Sequence, residues 1–570
     1  MSRRRIPRPQ WPLLAALLLG VIAIAVLWFI LANALDSSDG NDGDQRYVEA
    51  IVGSPARVNP LFAPLNDTDR DLTALVFSGL TRLGPEGEVL PDLAEDWEIS
   101  EDGLTYTFHL HRDVTWDDGV AFTAEDAVFT FDLLADPDLP SDPTLGQLWR
   151  QVSCSAPDEF TLLCELPEPF APFLSHTTIG ILPKHVLEGT TGATIADSPF
   201  NQAPVGTGPF RLAQLDQTKA ILRANPNYYG EPPAPDEIEP TSNGEPPALD
   251  EIEFRFYPDP STAAAALSRD EVQGLLLGPE ASQEDFDLLT STLGLRAYSA
   301  NRTAYAVLFL NNSQPPFDDI ALRQAVALSI NVDDIISKLL GGRAVRADSP
   351  MVPGTWAYNP ELEPQPRDLK KAGDLLDEAG WKMTDSGVRQ KEGKELRISL
   401  MTDQDPLRIA LAQEIANQLA ETGIQVSVAP QDSGDLVQEF LVPHQYQAAI
   451  FGWDPGADPD PDPDPYHVWH SSQVGPEGRN ISGYQSEDAD RVIEEARQTT
   501  DLDKRQALYY TFQQRFQEDV PSVLLYNAVF TYFVAEEIQN IELGTLFQPS
   551  SRFANVTQWT VGKGGELLGE

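Results

Sequence analysis

Apolar residues recur with two different periods along the chain, and the two periods predict different elements. Alternation of apolar and polar residues predicts strands at Leu104–Leu110 and Leu396–Leu400. Apolar residues three or four positions apart predict helices at 70–82, Asp368–Ala379 and Asp503–Glu518. Further strands are predicted at Tyr47–Val52, Ile252–Tyr257, Ile424–Val428 and Ala448–Phe451, and further helices from Thr123, at Pro406–Glu421 and at Asp490–Gln498.

Strands and helices alternate in the second half of the chain. This order is typical of an α/β fold, in which helices cover the faces of a largely parallel sheet. Helix ends carry signals of their own. Thr123 to Asp126 is a variant of the capping box at a helix start. Gly380 marks the end of the predicted helix Asp368–Ala379.

One stretch, 448–470, combines a buried strand with acidic and aromatic residues. The apolar run Ala448–Phe451 ends at Gly452, and Trp453 and Asp454 follow at once. Ligands of α/β proteins gather beyond the carboxyl ends of strands, and an aromatic face beside carboxylates suits an amine. Two interpretations stay open: the stretch forms part of a ligand site, or it is an acidic surface loop beside a core Trp.

The same stretch continues through Asp-Pro dipeptides to a patch of Tyr466, His467, Trp469 and His470. The two histidines are three positions apart, a spacing that can serve a metal, but the pattern favours a solvated loop. Carboxylates alternating with Pro are stiff and extended, so they cannot easily wrap around a calcium ion. We expect no metal and no cofactor.

Length and charge restrict the class of protein. At 570 residues the chain is too long for a single core, so several domains are expected. Its net charge is −49, from 88 acidic and 39 basic residues. Such an excess repels nucleic acid and anionic lipid, so neither is an expected partner.

Signatures of several enzyme classes are absent from the sequence. It contains no HExxH, GxSxG or GxxxxGK[ST] motif and no CxxC pair. These patterns mark zinc proteases, α/β-hydrolases, ATPases and zinc ribbons respectively. We therefore predict a protein that is not an enzyme.

Cys154 and Cys164 are the only cysteines, and they flank a predicted hairpin that turns at 157–159. A symmetric register places them opposite each other, so they can form a cross-strand disulfide in an oxidising compartment. The alternative is a pair of buried free thiols. The N-terminal export signal favours the disulfide.

The N-terminus carries this signal. Residues 1–9 form a basic tail, and the uncharged run over 10–35 is long enough to cross a bilayer. The positive charge keeps the tail in the cytoplasm and places the following chain outside. Residues 36–45 are a polar spacer. An uncleaved anchor is the first interpretation, and cleavage after Ala34, in an A-x-A pattern, is the alternative.

Residues 75–134 resemble a known family over a long series of positions at fixed spacing. The residues that carry the resemblance are Gly79, Leu80, Pro91, Leu93, Ala94, Trp97, Ser100, Asp102, Gly103, Tyr106, Thr107, Phe108, Leu110, Trp116, Asp118, Gly119, Phe122, Thr123, Ala124 and Asp126. The block closely resembles the family 5, or peptide-type, substrate-binding proteins of bacterial ABC importers. Further similar segments follow at 182–187, 204–210, 309–325 and 375–381.

The resemblance implies an α/β, two-lobed periplasmic-binding-protein-like fold of type II, with an extra strand-rich subdomain in the first lobe. The implied boundaries are 46–75, 203–308 and 525–560 for the first lobe, 76–202 for the inserted subdomain and 309–524 for the second lobe. The N-terminal segments and the last forty or so residues fall outside the resemblance. So does a Pro-rich insert with near copies beginning at Gly230 and Gly244, which we expect to be a surface loop.

The resemblance also implies how a ligand is held. The peptide-binding members of the family hold their ligand in extended form. In the dipeptide- and oligopeptide-binding members, the peptide amine meets an Asp three residues after the Trp of a Gly-Trp pair. Here Gly452 and Trp453 match that pair, and Gly456 occupies the position of the acid. We therefore predict Asp458 first and Asp454 second as the amine anchor.

Other predicted ligand contacts come from the same resemblance. They are Ser54, Pro55 and Ala56 through their backbone, and Tyr484 and Asn311 near the cleft. A plain turn is the alternative for Ser54 and Pro55, and a core role is the alternative for Trp453.

The implied function is extracytoplasmic capture of di- or oligopeptides between two lobes, by hinge closure, and delivery to an ABC transporter permease with cytoplasmic ATPases. We expect a monomer at the outer face of the cytoplasmic membrane, or in the periplasm or medium if the signal is cleaved. Alternatives are a membrane-tethered receptor on the same scaffold, a hydrolase, and binding of a nickel complex, haem or an oligosaccharide.

Overall fold

The computed structural model describes residues 45–141, 145–230, 247–279, 281–453, 462–476 and 478–562. The N-terminal tail, predicted anchor and most of the spacer lie outside these ranges, as do Asp454, Asp458, most of the duplicated insert and the side chain of Trp453. Among the described residues, no helix is long and apolar enough to cross a membrane.

The strands and helices of the described ranges follow in chain order. The strands are β1 (Arg46–Val52), β2 (Thr81–Leu83), β3 (Val89–Pro91), β4 (Ala94–Ile99), β5 (Thr105–Leu110), β6 (Ser153–Asp158), β7 (Thr161–Glu165), β8 (Phe210–Leu215), β9 (Lys219–Ala224), β10 (Glu251–Tyr257), β11 (Gly274–Leu277), β12 (Leu295–Leu310), β13 (Ala344–Arg346), β14 (Lys382–Met383), β15 (Arg389–Lys391), β16 (Lys394–Glu395), β17 (Arg397–Thr402), β18 (Gln425–Pro430), β19 (Ala448–Trp453), β20 (Ser522–Ala535), β21 (Ile538–Gln539) and β22 (Thr560–Val561). The helices are α1 (Asp67–Val76), α2 (Ala124–Ala135), α3 (Leu145–Trp149), α4 (Phe173–His176), α5 (Lys184–Leu187), α6 (Gly192–Ile195), α7 (Pro260–Ser268), α8 (Gln283–Ser291), α9 (Ile320–Ser329), α10 (Val332–Leu340), α11 (Leu369–Glu378), α12 (Pro406–Ala420), α13 (Ser433–Asp435), α14 (Tyr466–Trp469), α15 (Glu487–Gln498) and α16 (Leu502–Asp519).

Side-chain caps decide where the helices begin. Asn66 accepts the backbone N–H groups of Thr68 and Asp69, so α1 begins at Asp67, three residues before the predicted start. The helix ends at Val76 instead of continuing to residue 82. The chain from 78 to 81 is extended there because its backbone bonds to residues 177–181.

One mixed sheet of eleven strands runs through the molecule. Its order is β18-β17-β19-β12-β20-β11-β1-β10-β9-β8, with β13 paired to β20. Parallel pairs join β17 to β18 and β19, and β1 to β10 and β11. The expected largely parallel sheet is wrong at the centre, where β12 and β20 run antiparallel to each other and to their other neighbours.

Strands β12 and β20 join two lobes whose hydrophobic cores are separate. The first-lobe cores draw on residues between Tyr47 and Leu289 and between Tyr532 and Trp559. The second-lobe cores draw on residues between Tyr305 and Tyr526. The two-lobed architecture agrees with the sequence, while the individual predicted boundaries stay predictions.

The inserted subdomain is built on an antiparallel sheet in the order β4-β5-β7-β6. Cys154 and Cys164 are opposite each other in the β6–β7 pair and form a disulfide. The predicted capping box of α2 is confirmed: the Asp126 carboxylate accepts the Thr123 N–H at 2.9 Å. Its other oxygen accepts the Lys184 N–H at 2.9 Å, so one buried side chain orders two helix starts.

The last part of the described chain completes the first-lobe core. Trp559 is fully buried, with its ring 5.6 Å from that of Tyr47 and 5.9 Å from that of Phe553. This segment lies beyond the sequence resemblance, yet it packs against β1, the first strand of the described residues.

Candidate functional site

Strands from the two lobes point towards each other across the β12–β20 ribbon. Strand β11 ends at Leu277, opposite Thr531 of β20. Strand β19 ends at Trp453, opposite Tyr305 of β12, which in turn is opposite Asn527 of β20. Thr531 and Asn527 are four residues apart, which is about 13 Å along a strand. The carboxyl ends of strands from both lobes therefore border one narrow zone.

Trp453 belongs to a longer strand than its sequence predicts. Strand β19 continues through Gly452 and Trp453 because β12 extends far enough to pair with both residues. Trp453 is thus the last strand residue, at the edge where the two lobes meet. Asp454 and Asp458 follow it and lie outside the described residues.

The turn after β1 is held by one carboxylate. Asp69 accepts the backbone N–H of Ala56 at 2.8 Å and that of Arg57 at 3.0 Å. Burial raises the pKa of Asp69 to about 6, although these two hydrogen bonds oppose the shift. Ser54 and Ala56 are exposed and Pro55 is half-buried. The Ala56 N–H is therefore already engaged, while the Ser54 side chain faces solvent.

A cavity of about 100 Å³ lies at this edge of the first lobe. Its walls include Ile51, Leu277 and Phe530, which lie near the ends of β1 and β11 and on β20. Asp71 and Arg552 form its charged side. The cavity is therefore apolar on one side and ionic on the other.

The ionic side belongs to a fully buried network. Arg552 donates to both oxygens of Asp71, at 2.9 and 2.7 Å, and to Glu49 at 2.8 Å. The hydroxyls of Tyr47 and Tyr532 each lie 2.9 Å from the second Glu49 oxygen. Burial raises the pKa values of Glu49 and Asp71, and Arg552 offsets only part of this effect. The network fixes α1 and β1 at the edge of the cleft.

The end of the Asp-Pro run is bound to two helices. Asp462 forms a bidentate pair with Arg505 of α16, at 2.8 and 2.6 Å, and both side chains are buried. Burial opposes the charged form of Arg505, but the Asp462 carboxylate outweighs it and raises the Arg505 pKa. Asp464 pairs with Arg497 of α15 at 2.9 Å. These two acids are therefore neutralised within the protein.

Sequence reasoning did not find Arg497 and Arg505. Both look like ordinary surface charges on amphipathic helices, and they lie 33 and 43 positions from their acidic partners. The alternation of acids in 458–465 was the available signal, because buried carboxylates need cationic partners. Which arginines supply them depends on how the helices pack, and one sequence does not reveal that.

The aromatic and histidine patch is part of the second-lobe core. Trp469 is buried, and its ring lies 4.7 Å from that of Phe516, edge to face. His470 is also buried and stacks on Tyr466 at 4.4 Å. The expected solvated loop is wrong for His470, while His467 is half-buried beside Tyr466. In the described part of the chain, no group of three or more His, Cys, Asp or Glu residues is placed to hold a metal.

Asn311 and Tyr484 support the site from within. Asn311 is fully buried and donates to the carbonyls of His444 at 3.0 Å and Tyr446 at 2.8 Å. The buried Tyr484 hydroxyl donates to Asp519 at 2.6 Å. Asn311 thereby holds the loop of His444 and Tyr446, and Tyr484 is tied to the end of α16, while their contact with a ligand stays a prediction.

Most of the chain is similar to known bacterial binding proteins. Residues 88–476, more than half of it, match the family described as bacterial extracellular solute-binding proteins, family 5 Middle. The chain is 25% identical over 526 residues to the oligopeptide-binding protein AppA of Bacillus subtilis (strain 168), covering 90% of this chain and 91% of AppA.

Two solved structures are similar over the same extent. AppA of Bacillus subtilis in complex with a nonapeptide has a TM-score of 0.66 and 25% identity, and the match covers 92% of this chain and 100% of that one. NikZ of Campylobacter jejuni in complex with Ni(L-His) has a TM-score of 0.68 and 26% identity, with coverages of 91% and 100%. The chain therefore belongs to the family 5 bacterial extracellular solute-binding proteins, which are binding proteins and not enzymes.

Proposed function

We propose that this protein captures peptides between its two lobes and delivers them to the permease of an ABC importer. Two observations support the peptide as ligand. The similar protein AppA is named as an oligopeptide-binding protein, and its structure holds a nonapeptide. In this chain, strand ends from both lobes border a narrow zone about 13 Å long, a length that suits an extended backbone of a few residues.

The opposed strand ends are the observation that carries the proposal. Backbone groups at the edge of a sheet can pair with an extended peptide, as in strand addition. Closure of the lobes about β12 and β20 then surrounds the ligand, and the closed form is the one that a permease recognises. No bond is made or broken.

We assign the direct ligand contacts to three places. Trp453 forms a wall of the site, and Asp458 or Asp454 accepts the peptide amine. The turn Ser54–Ala56, in which Ser54 and Ala56 are exposed, offers backbone groups of the first lobe other than the Ala56 N–H, which Asp69 holds. Asn311 and Tyr484 are further predicted contacts near the cleft, and their hydrogen bonds to His444, Tyr446 and Asp519 fix them within the second lobe.

Calorimetry with defined peptides tests this proposal. Tri- to nonapeptides with free termini are expected to bind with Kd near 1 μM, about −8 kcal/mol. Asp458→Asn should weaken free-amine peptides more than N-acetylated ones, and Asp454→Asn should do so less. If no peptide gives heat or a thermal shift while Ni(L-His) does, the ligand is a metal complex, as in the NikZ structure.

The N-terminal segment determines where the protein meets its permease in this proposal. Residues 10–35 hold the protein at the outer face of the cytoplasmic membrane, and cleavage after Ala34 would release it. Mass spectrometry of the N-terminus of the native protein separates these two forms. We propose a monomer that meets the permease in the membrane, and gene neighbours encoding a permease and ATPases would support import over a signalling receptor.

A further inference from the structure

One of the contacts between the inserted subdomain and the second lobe lies at the end of helix α15. The backbone N–H of Ala171, in the loop after β7, donates to the carbonyl of Arg497 at 2.6 Å. Arg497 lies in the last turn of α15, where carbonyls have no donor within the helix. The ring of Phe170 lies 4.9 Å from the Arg497 guanidinium carbon. One lobe therefore caps a helix of the other.

The same guanidinium is bound on its other side by the second lobe. Its carbon lies 3.9 Å from the centre of the Tyr466 ring, and its Nε lies 2.9 Å from Asp464. The Asp464 side chain is 2% exposed, whereas that of Arg497 is 21% exposed. The cation thus lies between aromatic rings of two lobes, and it also neutralises an acid at the end of the connection that leaves β19.

We propose that Arg497 is a positioning residue that couples lobe closure to the placement of the segment Asp462–Tyr466. This inference rests on the proposed ligand capture between the lobes. When the lobes separate, the Arg497 carbonyl loses its donor and the guanidinium loses one aromatic face, and both become hydrated. When they close, the contacts with Phe170 and Ala171 form again around the side chain that holds Asp464.

A second arginine, Arg505, binds the same segment through a neighbouring ion pair. Arg505 binds Asp462, two residues before Asp464, and also lies 5.3 Å from the ring of Trp356. Arg505 therefore holds the segment through direct contacts within the second lobe, and its charge also acts on Tyr106 of the inserted subdomain, where it opposes the rise of the Tyr106 pKa. Arg497 holds the same segment and also has a backbone and a ring contact with the inserted subdomain. Of these two arginines, Arg497 is the one with a hydrogen bond and a ring contact to the other lobe among the described residues, so its contacts depend most on closure.

Removal of the first-lobe half of the contact gives the sharpest test. Phe170→Ala leaves the Arg497–Asp464 pair in place and removes one cation–π face. We expect a nonapeptide with free termini to dissociate about three to ten times faster, with little change in the association rate. The effect is partial because other contacts also join the lobes. For example, the backbone N–H of Trp356 donates to the carbonyl of Glu86 at 2.9 Å.

A matched control exists in the same subdomain. Phe160 lies 5.1 Å from the guanidinium carbon of Arg112, and both residues belong to the inserted subdomain. Phe160→Ala removes the same ring and the same kind of interaction without touching the second lobe. It should leave peptide dissociation unchanged, whatever it does to the melting temperature.

Variants of the arginine separate stacking from charge. Arg497→Lys keeps a cation near Asp464 but loses the planar group, so it should speed dissociation as Phe170→Ala does. Arg497→Gln should have a larger effect, because Asp464 then lacks its ion-pair partner. Arg491→Gln, an exposed change on the same helix, serves as the control.

Lobe separation is measured independently of any ligand. Spin labels at Leu293→Cys and Leu502→Cys, exposed positions in the first and second lobes, report the distance distribution between the lobes. Phe170→Ala should move the ligand-free distribution towards more open forms, and Phe160→Ala should not. This measurement still tests Arg497 if no peptide binds the native protein, an outcome that would count only against the proposed function.

Two outcomes would contradict the role that we propose for Arg497. If Phe170→Ala and Arg497→Lys release the nonapeptide at the native rate and leave the distance distribution unchanged, Arg497 does not couple closure to the segment. A fall in melting temperature alone, with both readouts unchanged, would give Arg497 a purely structural role and overturn the proposal.

Discussion

At the scale of single residues, arginine–carboxylate pairs organise both sides of the cleft. Arg552 joins Asp71 and Glu49 in the first lobe, and Arg505 joins Asp462 in the second. All of these groups are almost completely buried. A buried pair adds little net stability, but loss of one partner leaves an uncompensated charge in a medium of low polarity. Such pairs therefore fix the positions of the elements that they join more than they stabilise the fold.

Loss of Arg505 should expose this asymmetry. We expect Arg505→Gln to lower the free energy of unfolding of the second lobe by about 3–5 kcal/mol, because Asp462 remains buried without its cation. Arg515→Gln on the same helix removes a more exposed arginine and should cost less than about 1 kcal/mol. Urea denaturation measures both variants. Equal, small losses would show that Asp462 becomes solvated without difficulty.

Asp69 should make stability depend on pH. Its folded pKa, about 6, lies above the ordinary value of 3.8, so the folded state binds the proton more tightly than the unfolded state. The resulting stability is fully present below pH 3.8 and is lost as pH rises through 6. Asp69→Asn does not titrate. The stability of the native protein minus that of the variant should therefore fall by about 2 kcal/mol from pH 4 to 6.5 and then stay constant.

Denaturation curves at four or five pH values between 4 and 8 measure this difference. A difference that is flat over the whole range would show that the Asp69 carboxyl titrates normally. A difference that rises with pH would show that the Ala56 and Arg57 N–H groups outweigh burial.

At the scale of elements, the sequence predicted the helix and strand ends that depend on neighbouring residues, and it missed those that depend on distant ones. Helix α16 was predicted at 503–518 and spans Leu502–Asp519, because the Asp501 cap and the periodic apolar face are both readable in the sequence. Strand β19 was predicted two residues short, because its length depends on its partner β12. The candidate site shows the same difference between features set by local sequence and features set by packing. Trp453 at a strand end was predictable, whereas the pairing of Arg497 and Arg505 with acids depends on the packing of three separate segments.

The disulfide hairpin provides an element-scale prediction. Ten positions separate Cys154 from Cys164, so the bond closes a short loop in the unfolded chain. Replacing both cysteines by Ala should destabilise the inserted subdomain by about 2–3 kcal/mol. Calorimetric scans with and without dithiothreitol measure this loss. The variant should not respond to the reductant, and a native protein equally stable in both conditions would contradict the prediction.

At the scale of the whole molecule, two lobes with separate cores share one sheet and carry a large negative charge. The lobes can move because their cores do not merge across β12 and β20. The net charge of −49 acts against compaction of every part. Closure brings the charges of the two lobes nearer to each other, so ionic strength should affect both stability and closure.

Salt should therefore stabilise this protein. We expect the melting temperature to rise by several degrees between 20 mM and 1 M NaCl at pH 7.5, because screening over a few ångströms reduces self-repulsion. KCl should act like NaCl if screening is the cause. A melting temperature that falls with salt would show that surface ion pairs outweigh the overall repulsion.

The burial of Trp559 against Tyr47 has a consequence for how the chain folds as it is made. The first-lobe core needs Tyr532, Phe553 and Trp559, which are among the last described residues to be synthesised. The second-lobe cores end at Tyr526, so all of their residues emerge earlier. The strand that begins the described chain must therefore wait for the segment that ends it. We expect the second lobe to fold first during export, with the first lobe dependent on a binding chaperone until its final residues arrive.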